Sequence, residues 1–270
     1  MSTVLTNKNV TAGNIACRIL IEKGVGEVIG VFSKALYCKV GKEVVLFHDA
    51  KWGVVPFGIA VADITDFLAT VDAKVGSSAE LSEDKIKIGE REFEISLMRA
   101  SEEAFVTDKK PSKERIDALY AYVAAHGSSG GMFELVKENR RHVQEHLSAL
   151  TSGDASATIK LLGLGRGLTP SGDDFLCGFI STLDAAGHKF ASSVRDCVSA
   201  ELNLTTDISA AYIDGVIRRE IYTIYNRAAK AVLSSEPFES HTDFVLEMGA
   251  SSGTDTMLGA IAAAKIISHT

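Results

Sequence analysis

KIKIGEREFEISLMRASEEAFVTDKKPSKERIDALYAYV, residues Lys85 to Val123, holds the change of pattern that decides the fold. Lys85 to Ile88 and Arg91 to Leu97 alternate polar and apolar residues around Gly89-Glu90, which predicts a β-hairpin. After Pro111 the apolar spacing lengthens. Ser112 is placed to cap a helix carrying Ile116, Leu119, Tyr120 and Val123, which stops at Gly127. Towards the N-terminus, Glu27 to Val40 and Glu43 to His48 read as strands joined by Gly41-Lys42. A helix is expected from Thr11 to Glu22, with Gly24 past its end, and a shorter one over Ile64 to Ala69. Towards the C-terminus, helical spacing covers Met132 to Leu150 and again Asp207 to Leu233, with Gly215 either breaking the second or packing tightly. The fold class is therefore α+β, a β-rich part over 1–108 followed by an all-helical part over 109–270. The boundary separates either two domains or two layers of one core.

The 270 residues carry 28 Lys+Arg against 35 Asp+Glu, a net charge of −7, which argues against a nucleic-acid surface. No apolar run approaches the roughly 18 residues that span a bilayer. Met1 to Val10 lacks a basic stretch followed by an apolar one, so secretion is not expected. Cys17, Cys38, Cys177 and Cys197 are widely spaced, so a cytoplasmic protein with reduced thiols is expected. The chain holds 23 glycines and four prolines, where average usage gives roughly 19 and about 13. Few prolines disfavour a disordered linker, and the glycine excess asks for positions.

Those positions cluster in the helical part. Ser171-Gly172-Asp173-Asp174 to Gly178 recurs as Ser252-Gly253-Thr254-Asp255 to Gly259; both read S-G-x-D-x-x-x-G before an apolar stretch. Each is read as a loop turning into a helix, with the serine at or near the N-cap and the aspartate turning back on the first-turn amides. The glycine four residues after the aspartate lies on the same face and permits close backbone approach. Two such helices are expected to pack as a pseudo-symmetric pair with both N-termini at one end. Ahead of the first, Gly163-Leu164-Gly165-Arg166-Gly167-Leu168-Thr169-Pro170 adds glycines, a cation and a hydroxyl, a composition suited to cradling an anion. It matches neither G-x-G-x-x-G nor the P-loop.

The candidate ligand-binding residues are Gly165, Arg166, Gly167, Thr169, Ser171, Gly172, Asp173, Asp174, Ser252, Gly253 and Asp255. No catalytic residue, cofactor or metal set is assigned, although Asp174 and Asp255 carry the oxygens a divalent ion would choose. Ordinary caps on two closely packed helices are the plainer reading of either motif alone. His142 and His146 lie four apart with Glu145 between and no third ligand, which reads as a solvated face. Ser171 has no recognisable histidine partner in the sequence, and no G-x-S-x-G elbow occurs.

The segment Gly163 to Asp174 resembles the G-x-G-x-G-L-T-P-S-G-D-D hallmark of a bacterial family of unknown function that includes the AllH-type subunit of oxamate carbamoyltransferase. Ser251 to Gly259 fits the family's later block, with Thr254 where an aromatic residue is expected, and Thr206 to Ser209 resembles its intermediate polar helix start. The resemblance covers most of the helical half closely and the β-rich half only in general order. It implies phosphorolysis of oxalurate to oxamate and carbamoyl phosphate, with an acyl-CoA-synthetase-like subunit and a further subunit as partners. It implies no role for any single residue. Two other classes stay open beside it: a non-catalytic ligand-binding or scaffold subunit, and a stand-alone metal-dependent hydrolase.

Overall fold

The structure is a computed structural model that describes residues 4–138 and 140–269, without the side chains of residues 4–8 and 140. The chain divides into two compact units after Glu103.

The first unit is a closed barrel of eight strands: β1 (Val4–Ala12), β2 (Gly24–Phe32), β3 (Ala35–Val40), β4 (Glu43–Asp49), β5 (Gly58–Val61), β6 (Ser78–Leu81), β7 (Lys85–Ile88) and β8 (Arg91–Arg99). Their order around the barrel is β1-β5-β4-β3-β2-β6-β7-β8, and β8 closes it by pairing in parallel with β1. The hairpin expected at Gly89-Glu90 is β7–β8, with Ile86 opposite Phe93 on the inner face. Helices α1 (Asn14–Ile21) and α2 (Ile64–Val71) complete the core. Phe67 of α2 reaches in to stack on Phe47 at 5.1 Å and to meet Phe93 at 5.3 Å. Alternation along each strand gives the barrel its inside; closure needs pairings between distant strands, which no local pattern carries.

Three expectations for this unit are corrected in detail. Glu27 to Val40 is two strands, not one, because the chain reverses at Ser33-Lys34, a turn without glycine or proline to mark it. The first helix starts at Asn14, since Thr11 and Ala12 finish β1 opposite Ala60 and Ile59. Its left-handed end is Lys23 at φ 59°, not Gly24, which opens β2.

The second unit is helical: α3 (Lys113–His126), α4 (Met132–Glu138), α5 (Arg140–Thr151), α6 (Ser171–Ala185), α7 (Phe190–Ser199), α8 (Asp207–Ile217), α9 (Thr223–Leu233), α10 (Glu239–Leu246) and α11 (Ser252–His269). Ser112 caps α3 as expected, accepting from the Arg115 amide at 3.2 Å. The helix expected over Met132 to Leu150 comprises α4 and α5, on either side of Asn139, which lies outside the described residues. The one expected over Asp207 to Leu233 is two helices, and the break follows Ile217 instead of falling at Gly215. Arg219 takes φ 59°, and the amides of Arg219 and Glu220 donate to the carbonyls of Val216 and Gly215 at 3.0 and 2.9 Å. That is a Schellman ending built on arginine where glycine is usual, so the sequence carried no stop signal. Gly215 packs tightly instead: a Cβ there would sit 2.0 Å from the Tyr222 hydroxyl.

At the centre is α6, in which every residue except Ser181 and Asp184 is buried. It packs against α7, α8, α9 and α11, while α11 also meets α3, α9 and α10. A helix buried on all sides supplies the core instead of bordering it. No helix among the described residues is long and apolar enough to cross a membrane.

Candidate functional site: two crossed helix starts

The two S-G-x-D-x-x-x-G segments are the first turns of α6 and α11. They meet through their glycines. A Cβ on Gly178 would lie 2.0 Å from the Thr256 carbonyl oxygen, and one on Gly259 would lie 1.9 Å from that of Phe175. Real side chains never approach backbone so closely, so the seam requires glycine at both places. The glycines beside the serines are also matched. A Cβ on Gly172 would come within 2.0 Å of the Leu161 carbonyl, and one on Gly253 within 1.9 Å of that of Val245. The repeat in sequence is thus a repeat in space.

The side chains cross between the helices. The Asp174 carboxyl bonds with the Ser252 hydroxyl, and the Asp255 carboxyl with that of Ser171. Each motif's serine therefore serves the other motif's aspartate, and the two contacts form a clasp. Asp255 also bonds with the Ser251 hydroxyl ahead of its own helix, so what is corrected is the expectation that each aspartate turns back on its own first-turn amides. The first-turn amides are satisfied otherwise: Gly172 donates to the Leu164 carbonyl at 2.8 Å and Asp173 to that of Pro170 at 2.9 Å. In α11, Gly253 donates to the Met248 carbonyl at 3.0 Å and Asp255 to that of Ser251 at 2.9 Å. The serines are the first residues of their helices, near the N-cap as expected, with Pro170 in the N-cap place of α6.

Outside the crossing, the acidic residues reach neighbouring loops. Asp255 Oδ1 accepts from the Met132 amide at 2.7 Å, at the start of α4. Asp173 Oδ1 accepts from the Gly163 amide at 2.8 Å, and its Oδ2 accepts from the Thr205 hydroxyl. Thr254, which replaces Asp173 in the second motif, accepts through its hydroxyl from the Ser128 amide at 2.9 Å. The carboxyl of Asp255 occupies the space beside Gly131, where a Cβ would be 2.4 Å from Oδ2. The Gly127-Ser128-Ser129-Gly130-Gly131 loop is thus part of the site, although it is absent from the candidates drawn from the sequence. Its run of small residues between two helical patterns was the available signal.

The electrostatics follow from burial. Asp255 is 0% exposed and Asp174 7%, and among the described residues neither takes part in an ion pair. Burial pushes the Asp174 carboxyl well above the usual carboxylate range, and the negative charge of Asp255 pushes it the same way. Asp255 is raised to about 6, chiefly by burial, with the Met132 amide and Ser171 hydroxyl pulling back. One Oδ2 oxygen on each carboxyl is buried without a hydrogen-bond partner. The upward shift of both carboxyls favours their neutral forms, which lessens the repulsion between them. Beneath the clasp, burial also raises the Cys177 thiol, whose partner is the Tyr225 hydroxyl.

Thr169 joins this centre, its hydroxyl 3.3 Å from that of Ser252. Gly165 lies at its edge, at φ 125°, where a Cβ would meet the Ser171 amide at 2.7 Å. Arg166 and Gly167 are not drawn in. Both are exposed, and a Cβ on Gly167 would meet nothing within 4 Å. The loop they form is tied down behind them, where the Thr206 hydroxyl donates to the Leu168 carbonyl at 2.5 Å. The same Thr206 caps α8 by accepting from the Ser209 amide at 3.1 Å, at the helix start that the family resemblance implied. Among the described residues no group of three or more His, Cys, Asp or Glu side chains is placed to hold a metal.

A barrel followed by a helical unit with a duplicated, crossed helix start makes this an α+β protein. Residues 161–264, which begin just before the first of these helix starts and include both, match the family model for oxamate carbamoyltransferase subunit AllH. At family level the match is to an oxamate carbamoyltransferase subunit, and it lies within the helical part of the chain. No solved structure matches the chain.

Proposed function

We propose that this chain is a cytoplasmic subunit of an oxamate carbamoyltransferase-type enzyme, and that the loop leading into α6 holds an anion. The observation that carries the reading is the coincidence of the family match, residues 161–264, with the segment containing both helix starts and the exposed Arg166 loop. The reaction is phosphorolysis of oxalurate. A phosphate oxygen bonds to the ureido carbonyl carbon, the bond from that carbon to the oxamate nitrogen breaks, and the nitrogen takes a proton. The products are carbamoyl phosphate and oxamate.

Both phosphate and carbamoyl phosphate are anions. The amides of Gly172 and Asp173 are already bonded, so the contacts fall to the Arg166 guanidinium, the backbone of Gly165 and Gly167, and the hydroxyls of Thr169 and Ser171. Asp173, Asp174, Ser252 and Asp255 serve this site by orientation, and Gly172 and Gly253 by letting the backbone come close. An acyl-CoA-synthetase-like subunit and a further subunit are the partners.

Co-expression of the chain with those companions, followed by an assay for oxalurate phosphorolysis, tests this. Activity is expected only when the chain is included; equal activity without it contradicts the reading. A scaffold role is favoured by the clasp itself, because among the described residues no histidine bonds to Ser171 or Ser252. That alternative predicts that Arg166→Ala leaves the activity of the assembled enzyme unchanged.

A further inference from the structure

The loop that carries Arg166 is held on both sides of its tip. On the near side, the Gly163 amide donates to Asp173 Oδ1 at 2.8 Å, and the Leu164 carbonyl accepts from the Gly172 amide at 2.8 Å. On the far side, the Leu168 carbonyl accepts from the Thr206 hydroxyl at 2.5 Å. Gly165, Arg166 and Gly167 stand exposed between these points, the two glycines at φ 125° and 90°. Among the described residues no hydrogen bond reaches the backbone of those three.

The start of α8 supplies a hold on each side. Thr206 caps that helix by accepting from the Ser209 amide, and a cap asks only for an acceptor. Its hydroxyl proton goes instead to the Leu168 carbonyl, a bond that adds nothing to the cap and serves the loop. Thr205, one residue earlier, donates to Oδ2 of Asp173, the buried carboxyl whose other oxygen holds Gly163. The backbone ahead of α8 also lies against the loop, since a Cβ on Gly163 would sit 2.4 Å from the Leu204 carbonyl oxygen.

We propose that Thr205 and Thr206 are positioning residues of the anion site, fixing the two ends of the Gly165-Arg166-Gly167 tip from the start of α8. Neither touches the ligand. A glycine-rich tip that had to be ordered by its ligand would give up affinity to that ordering; ends already fixed remove much of the cost. The inference rests on the anion-loop reading and deepens it, adding two residues from a helix outside the repeated motifs.

Titration calorimetry of the full chain with carbamoyl phosphate tests it, with thermal melting of each protein alongside. Thr206→Gly keeps a competent cap residue and loses the donor, whereas Thr206→Ser keeps both. Thr205→Val keeps the side-chain shape and removes the other donor. Thr206→Ser is expected to bind like the wild type, and Thr206→Gly and Thr205→Val to bind about five-fold or more weakly while still folded. Wild-type binding that is unchanged in Thr206→Gly and Thr205→Val overturns the positioning role and leaves the anion loop intact. Equal weakening in Thr206→Gly and Thr206→Ser also overturns it, because the hydroxyl is then not the cause. Absence of wild-type binding overturns the anion reading and this inference with it. If Thr206→Gly fails to fold, Thr205→Val decides by the same criterion.

Discussion

The first turns of α6 and α11 share a clasp but not a loop. Both have the serine, the aspartate and two tightly packed glycines, and each serine serves the aspartate of the other helix. Before α6, however, stands Gly163 to Pro170 with an exposed arginine; before α11 stands Gly249-Ala250-Ser251, without a cation. What the two helix starts have in common is accounted for by packing and by the serine–aspartate contacts between them. What only the first has at the tip of that loop, Arg166 and Gly167, is exposed, and the arginine is unnecessary to that packing. The difference separates the groups that hold the unit together from those available to a ligand.

The sharpest way to break the comparison is at the seam. Gly178→Val and Gly259→Val each drive a side chain into a carbonyl about 2 Å from the new Cβ. We expect either to destabilise the unit by more than about 4 kcal/mol or prevent its folding, measured by denaturant unfolding. Similar losses at both sites uphold the symmetry; tolerance at one breaks it.

A smaller loss is expected at the clasp. Asp255→Ala strands the buried Met132 amide, costing about 1–3 kcal/mol, whereas Asp255→Asn keeps an acceptor for it and should cost less. If both lower the melting temperature equally, the carboxyl acts through something other than that bond.

The pH dependence follows from the same group. Asp255 is raised from 3.8 to about 6 in the folded chain, so the folded state holds its proton more tightly than the unfolded one. Its contribution is complete below about pH 4 and is lost as pH rises through about 6, by roughly 3 kcal/mol from the one-unit equivalence of about 1.36 kcal/mol. Unfolding free energies across that window should fall for the wild type and fall less steeply in Asp255→Asn, where the raised Asp174 still titrates. A parallel slope in the two would show that Asp255 does not carry the proton.

Least affected should be the loop. Arg166→Ala removes an exposed side chain and is expected to shift stability by no more than about 0.5 kcal/mol, measured by the same unfolding.

The sequence showed the shared features better than the closing ones. The 85–97 hairpin, the Ser112 cap and the repeated S-G-x-D-x-x-x-G segment each leave a local mark, because alternation, capping and close packing select residues within one turn or strand. The parallel pairing of β1 with β8 leaves none, so β-richness was legible and the barrel was not. The pairing of α6 with α11 followed from their repeat, but the exchange of serines and aspartates did not: an aspartate three residues after a serine fits a cap on its own helix equally well. The Gly131 loop escaped for a similar reason, since its task lies against Asp255, far along the chain.

The central claim is that the loop found only before α6 takes an anion while the shared clasp holds the helices. Titration calorimetry of the full chain and of Arg166→Ala with carbamoyl phosphate tests it most directly. The variant is predicted to melt like the wild type but to bind about ten-fold or more weakly, the loss expected when a charge-assisted contact goes. Equal binding by the two proteins would contradict it.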